Sequence, residues 1–284
     1  MINQQVLCPL HQQSTSMTRE QLTAQIQAKG TFLCVGLDPD PARFPEHMHG
    51  DPGSTVAFCR AIVHATSAYA VAYKLNIAFF EALGRKGWDI LFAVRELLPE
   101  DAFLIADAKR ADIGNSSRMY ARAFFEELNF DAITVSPYMG EDSIRPFLDY
   151  TDHWTIVLAL TSNHGAQDFQ LLETVAGPQV FEHVLNKTAA WGTPNNLMFV
   201  TGATQTEHLE QIRRIVPEHF LLVPGVGAQG GDLNTVAQAC MTPDVGLLIN
   251  SSREILYASA GADFAEVAGQ RAEGYQSAMS ALLK

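Results

Sequence analysis

The stretch Phe103-Leu104-Ile105-Ala106-Asp107-Ala108-Lys109-Arg110-Ala111-Asp112 decides how this chain is read. Its first four residues form a short apolar strand, and apolar strands rarely end in alternating charges. Side chains two apart on a strand face the same way, so Asp107 and Lys109 should project together. Asp112 lies past the strand end and is free to point elsewhere. Carboxylates beside a lysine favour its charged form, so Lys109 should stay protonated at neutral pH. A protonated lysine at a strand end is a proton donor in search of a substrate.

Segments of the same kind recur along the chain, at 32–37, 71–75, 103–107, 132–135, 155–160, 197–200, 220–223 and 245–249. Several of them, such as FLCVGL, WTIVLAL and VGLLIN, are apolar throughout, as a parallel sheet covered by helices requires. Between them lie stretches with apolar residues at three- and four-residue steps, at 54–68, 88–98, 116–128, 180–191, 207–215 and 232–239. That spacing is the helical period. Eight alternations predict an α/β protein of the (β/α)8 TIM-barrel class, and 284 residues suit a barrel of about 250. No Gly-x-Gly-x-x-Gly follows the first strand, so the dinucleotide-binding open sheet lacks its main support. A single domain over 17–284 is expected, preceded by a polar, poorly ordered extension at 1–16.

Composition narrows the function. Apolar residues make up 47% of the chain, enough for a substantial core. Nineteen Lys and Arg against 31 Asp and Glu give a net charge of −12, which argues against nucleic-acid and anionic-membrane partners. It leaves room for a small anionic substrate in a locally positive pocket. Cys8, Cys34, Cys59 and Cys240 match neither a zinc site nor a disulfide framework, and reduced thiols suit a cytoplasmic protein. His47, His49 and His164 lack companions at metal-ligand spacing, so no metal is expected. No apolar run reaches the ~18 residues of a membrane span, and the N-terminus lacks the features of a signal peptide.

Polar residues gather at the expected C-terminal strand ends, which form one rim in a barrel and carry the active site there. They are Asp38 after the first strand, Lys74 and Asn76 on the second, and Asp107, Lys109 and Asp112 on the third. Thr161-Ser162-Asn163 ends the fifth, and Asn250-Ser251-Ser252-Arg253 the eighth. A lysine inside VAYKLN needs a partner, and Asp107 on the next strand is the natural one. Asp107 and Lys109 alone also fit an ion pair on a solvated strand end, and Asp38 in DPDP also fits a turn. The glycine-rich PGVGAQGG (224–231) can offer exposed N–H groups to a phosphate. Ser252-Arg253 should open a helix whose free N–H groups attract anions, with a guanidinium fork beside them. The loop after the seventh strand is the candidate lid.

These segments together resemble the orotidine 5′-phosphate decarboxylase family, in its longer bacterial branch. The resemblance rests on FLCVGLDPD, YKLNIAFFEALG, IADAKRADIGNSS, LTSNHGA, PGVGAQGGD and INSSREILYA, over roughly residues 17 to 275. It implies a cofactor-free decarboxylation of orotidine 5′-phosphate to UMP, the last step of pyrimidine nucleotide synthesis. Lys109 would protonate C6, Asp107 would face the substrate carboxylate and orient Lys109, and Lys74 would bridge the carboxylates and the ribose. Asp112 would enter the partner subunit's site, which makes a homodimer obligatory, and Asn115-Ser116 would complete the ribose side of that neighbouring site. Asp38 would hold the ribose, Ser162 the pyrimidine edge, and Gln229 with Arg253 the phosphate; Asn76, Pro224 and Ser252 complete the substrate-binding set. Two alternatives remain open. A metal-dependent sugar-phosphate decarboxylase or aldolase shares D-x-K-x-x-D but carries an acidic residue where Lys74 stands. A non-catalytic nucleotide-phosphate binding protein would keep the pocket without needing the lysine–aspartate array.

Overall fold

The computed structural model describes residues 16–51, 53–203, 206–226 and 232–284. Eight strands pair in sequence order, all parallel, and the last closes onto the first. They are β1 (Leu33–Leu37), β2 (Ala72–Asn76), β3 (Phe103–Arg110), β4 (Ala132–Val135), β5 (Trp154–Leu160), β6 (Leu197–Thr201), β7 (Phe220–Pro224) and β8 (Leu247–Ser251). Helix α1 (Arg19–Lys29) precedes β1. After β1 to β4 come α2 (Ser54–Thr66), the pair α3 (Ile77–Glu81) and α4 (Arg85–Arg95), α5 (Gly114–Arg122), and α6 (Glu141–Leu148). After β5 to β8 come α7 (Ala166–Phe169) with α8 (Val180–Ala189), α9 (Thr206–Ile215), α10 (Leu233–Cys240), and α11 (Arg253–Leu256) with α12 (Phe264–Leu282). Strands β1, β6 and β8 are buried along their whole length, as a barrel wrapped by helices demands.

The barrel class and all eight expected strands are present, with two informative differences. The third strand runs on to Arg110 instead of ending at Asp107. Its pairing with β4 slips there: Ala106 pairs with Ile133, but Arg110 pairs with Val135. Three residues of β3 therefore face the single residue Thr134, and Lys109 takes a left-handed backbone with φ 49°. The eighth strand starts at Leu247 rather than Val245, because Val245 has φ 68° and closes a bridge to Thr242. Ser252-Arg253 opens only the one-turn α11; the outer helix of that unit is α12.

Large side chains fill the N-terminal end of the barrel. Phe103, Trp154 and Phe220, the first residues of β3, β5 and β7, meet edge to face with ring centroids 5.9 and 6.3 Å apart. The segment entering α1 seals this end. The Trp154 indole donates to the Met17 carbonyl at 2.8 Å, and Thr18 caps α1 through a reciprocal bond pair with Gln21. Asp131, just before β4, accepts the backbone N–H of Met17 at 2.8 Å and of Leu104 at 2.7 Å. Burial pushes the Asp131 carboxyl upward, opposed by these two donors, which favour its ionised form. Of the expected N-terminal extension, Ser16 is described: it is buried, and its hydroxyl donates to the Asp131 carbonyl at 3.4 Å. Residues 1–15 lie outside the described residues. Among the described residues no helix is long and apolar enough to cross a membrane.

Replacing Asp131 strands two backbone donors, one of them in a fully built sheet. Asp131→Ala should lose about 2–3 kcal/mol of stability, the cost of buried donors left without an acceptor. Urea unfolding measures it; an unchanged midpoint at unchanged slope would show that the carboxylate does not hold this end shut.

Candidate active site

At the C-terminal end of the barrel the strands deliver a row of charges. Lys74 is the third residue of β2 and is 5% exposed. Its ammonium donates to Asp107 Oδ2 at 2.7 Å and stands 4.0 Å from Asp38 Oδ1. Asp107 Oδ1 in turn accepts the Lys109 ammonium at 2.5 Å and the Thr134 hydroxyl at 3.0 Å. Asp38, Lys74, Asp107 and Lys109 thus alternate in sign along one chain of contacts. The register brings Asn76 level with Asp107, so Lys74 reaches forward along the sheet to make its bond.

Burial alone would strip the Lys74 proton. The charges of Asp107 and Asp38, with the hydrogen bond to Asp107, outweigh it and raise the pKa above the ordinary lysine value. Burial likewise works against the Asp107 carboxylate, yet the two lysine charges and their hydrogen bonds hold it well below the usual range. Both groups are therefore ionised across the neutral range. Buried charges of this kind survive only as a paired set. Lys109 differs: half of its side chain is exposed, so its ammonium is tethered at one side and open at the other.

These groups open onto a cavity of about 330 Å³. Its charged lining consists of Asp38 and Asp107 against Lys74, Lys109 and Arg253, two negative and three positive. A protein of net charge −12 thus presents a locally positive pocket, suited to an anion. Arg253 heads α11 after β8, across β1 from the β2–β3 cluster, so an extended ligand could meet both. The apolar part of the lining comes from Leu158, Val200, Leu222 and Val226. Two glycines allow the rim to close up. A Cβ at Gly36 would sit 1.9 Å from Ser252 Oγ, and one at Gly202 would sit 2.7 Å from the Ser162 backbone. The loop after β1 is anchored by Tyr257, whose hydroxyl donates to the Asp38 carbonyl and accepts the Asp40 N–H, each at 2.7 Å. Arg43 stacks on the Tyr257 ring at 3.9 Å.

Nine of the expected site residues line this cavity: Asp38, Lys74, Asn76, Asp107, Lys109, Ser162, Pro224, Ser252 and Arg253. Asp112 and Ser116 do not. Asp112 is half-buried beyond the rim and accepts the Ile113 N–H at 2.7 Å, while Ser116 is exposed on the first turn of α5. Asn115 is exposed beside it. Gln229 and the rest of the expected lid at 227–231 lie outside the described residues. Thr134 also lines the cavity and was not foreseen as a site residue; Asn250 and Ser251, noted at the strand-eight end, line it as well. Thr161 and Asn163, noted at the strand-five end, line it too and bond each other at 2.6 Å. Neutral residues inside apolar strands carry no charge signal; the inward-facing alternation of Ala132 and Thr134 is the one clue available.

Comparison with known proteins agrees with this geometry. The profile of the family described as "Orotidine 5′-phosphate decarboxylase / HUMPS family" matches residues 31–266. Orotidine 5′-phosphate decarboxylase of Christiangramia forsetii is 53% identical over 271 residues, covering 94% of this chain and 99% of the relative. The protein of the same name from Phocaeicola vulgatus is 52% identical over 272 residues, with 94% and 99% coverage. Among solved structures, Leishmania donovani OMP decarboxylase superposes with a TM-score of 0.79 at 35% identity, covering 93% of this chain and 99% of that one. The chain belongs to the orotidine 5′-phosphate decarboxylase / HUMPS family.

Proposed function

We propose that this protein decarboxylates orotidine 5′-phosphate to UMP without metal or cofactor, as the last step of pyrimidine nucleotide synthesis. The observation that carries this reading is the buried Lys74 between Asp38 and Asp107, with Lys109 tethered to the other oxygen of Asp107 at the mouth of a net-positive cavity. Breaking the C6–carboxylate bond leaves its electron pair in an orbital of the ring plane, outside the π system. Fixed charges must then stabilise the carbanion as it forms. Lys109 faces that charge and gives its proton to C6, which closes the reaction as carbon dioxide leaves. The neutral amine regains a proton from solvent. Asp107 orients Lys109 and repels the substrate carboxylate that is about to depart, while Lys74 holds Asp107 in its ionised form.

Asp38 would hold the ribose and Ser162 the pyrimidine edge, with Asn76 beside them. Arg253, with Gln229 and the Pro224 and Ser252 segments, would grip the phosphate, whose binding energy can be used to close the site around the reacting carbon. The metal-dependent alternative is disfavoured by the ammonium of Lys74, which would repel a divalent cation where that chemistry needs a carboxylate. A pure binding protein would have no use for two buried charges and a tethered donor.

The protein is a homodimer in this reading, with Asp112 and Asn115-Ser116 completing the partner's site. Two observations support it. Asp112 and Ser116 sit outside their own cavity. Ile113, Tyr120, Tyr138 and Met139, on or near the neighbouring helices α5 and α6, are exposed apolar side chains in need of cover. The buried thiols of Cys34, Cys59 and Cys240 form no disulfide, which fits the cytoplasm.

The direct assay is the fall in ultraviolet absorbance of orotidine 5′-phosphate on adding purified protein in excess chelator. Turnover is expected at the metal-free rate, and activity abolished by chelator would transfer the case to the metal-dependent alternative. In the same assay Lys109→Ala should lose at least about 3 kcal/mol of transition-state stabilisation, the scale of a key electrostatic group; near-normal turnover would remove Lys109 as the donor. Mixing inactive Lys109→Ala with inactive Asp112→Ala subunits should regain roughly a quarter of the wild-type sites. Random pairing makes half of the dimers mixed, each with one intact site. Absence of any recovery would assign Asp112 to its own subunit.

A further inference from the structure

We infer that Thr134 is a positioning residue for the decarboxylation, a hydroxyl clamp that fixes the backbone of Lys109 and the carboxylate of Asp107 at once. The inference rests on the function proposed above and adds a residue to it. Thr134 is 1% exposed and is the sole residue of β4 between the register pairs Ala106–Ile133 and Arg110–Val135. Opposite it β3 carries three residues, Asp107, Ala108 and Lys109, so the ladder cannot pair them in the ordinary way. Lys109 sits at φ 49°, a backbone conformation that a side chain with a Cβ disfavours. Its N–H has lost a strand partner and is received by Thr134 Oγ1 at 3.0 Å.

The same oxygen lies 3.0 Å from Asp107 Oδ1. A backbone N–H can only donate, and an ionised carboxylate can only accept. The hydroxyl orientation is therefore settled: it accepts from Lys109 and donates to Asp107. One side chain sets the direction in which Lys109 leaves the sheet and the rotation of the carboxylate that receives the Lys109 ammonium at 2.5 Å. Strained backbone at a functional site persists only where its surroundings hold it, and Thr134 supplies that hold. A valine of similar shape would offer Lys109 no acceptor and Asp107 no donor. A serine would offer both.

The test compares Thr134→Val and Thr134→Ser by steady-state kinetics with orotidine 5′-phosphate, after circular dichroism has shown both to be folded. Thr134→Val should lower kcat by about ten- to a hundredfold, the range for a hydrogen bond to a charged group, with KM changed by less than about threefold. Thr134→Ser should recover most of kcat. If the valine variant does not fold, Thr134→Ala replaces it and should show the same pattern. A folded variant without the hydroxyl that keeps wild-type kcat overturns the inference. So does a loss carried entirely in KM, or a serine variant as impaired as valine. Crystal structures of wild type and Thr134→Val separate this from failure of the proposed reaction. Should wild type not decarboxylate the substrate, that reading falls, while the clamp stands if Lys109 leaves its left-handed backbone in the variant and falls if Lys109 and Asp107 stay in place.

Discussion

The structure depends on one interaction, the buried ammonium of Lys74 held between Asp38 and Asp107. Removing a charge from water costs several kcal/mol, and only neighbouring opposite charge recovers it. At 4 Å in the effective dielectric of a protein site, each unit pair attracts by about 4 kcal/mol. The closer Asp107 bond and the longer Asp38 approach thus both matter. Asp107 stays ionised in this buried setting through the charges and hydrogen bonds of Lys74 and Lys109. Lys109, tethered to Asp107 and half exposed, inherits its position from this pair.

The barrel makes such an assembly feasible. Its rigid parallel strands end at one rim, so residues distant in sequence arrive there with fixed spacing. The opposite end is closed by stacked aromatic side chains and by the segment at Met17, leaving the charged rim as the open end. Local departures from regular strand geometry occur where the chemistry lies. The three-against-one mismatch of β3 and β4 turns Lys109 into the cavity, and Thr134 fills the gap that it leaves. A regular β3 would have continued its ladder and placed Lys109 according to the pleat alone.

Much of this was legible in the sequence because charge inside an apolar strand is conspicuous. Lys74 within AYKLN and Asp107 after FLIA announce both a pairing and a place. Strand number, and hence the barrel, followed from the recurrence of apolar runs. Asp38 was assigned to the ribose, and its approach to Lys74 was not foreseen, since a residue in Asp-Pro-Asp-Pro reads as a turn. Thr134 in AITV was missed because a hydroxyl in a strand resembles any β-branched core residue. The extension of β3 to Arg110 was invisible for another reason: a bulge is set by what the facing strand offers, which no local pattern encodes.

The central claim is that Lys74 and Asp107 act as one charged unit, and a double-mutant cycle on kcat/KM tests it most directly. Lys74→Met, Asp107→Asn and the combined variant would be compared with wild type. The account predicts strong non-additivity, with the double variant losing little more than the worse single one. Losses that simply add would mean that the two side chains contribute independently, and would contradict it.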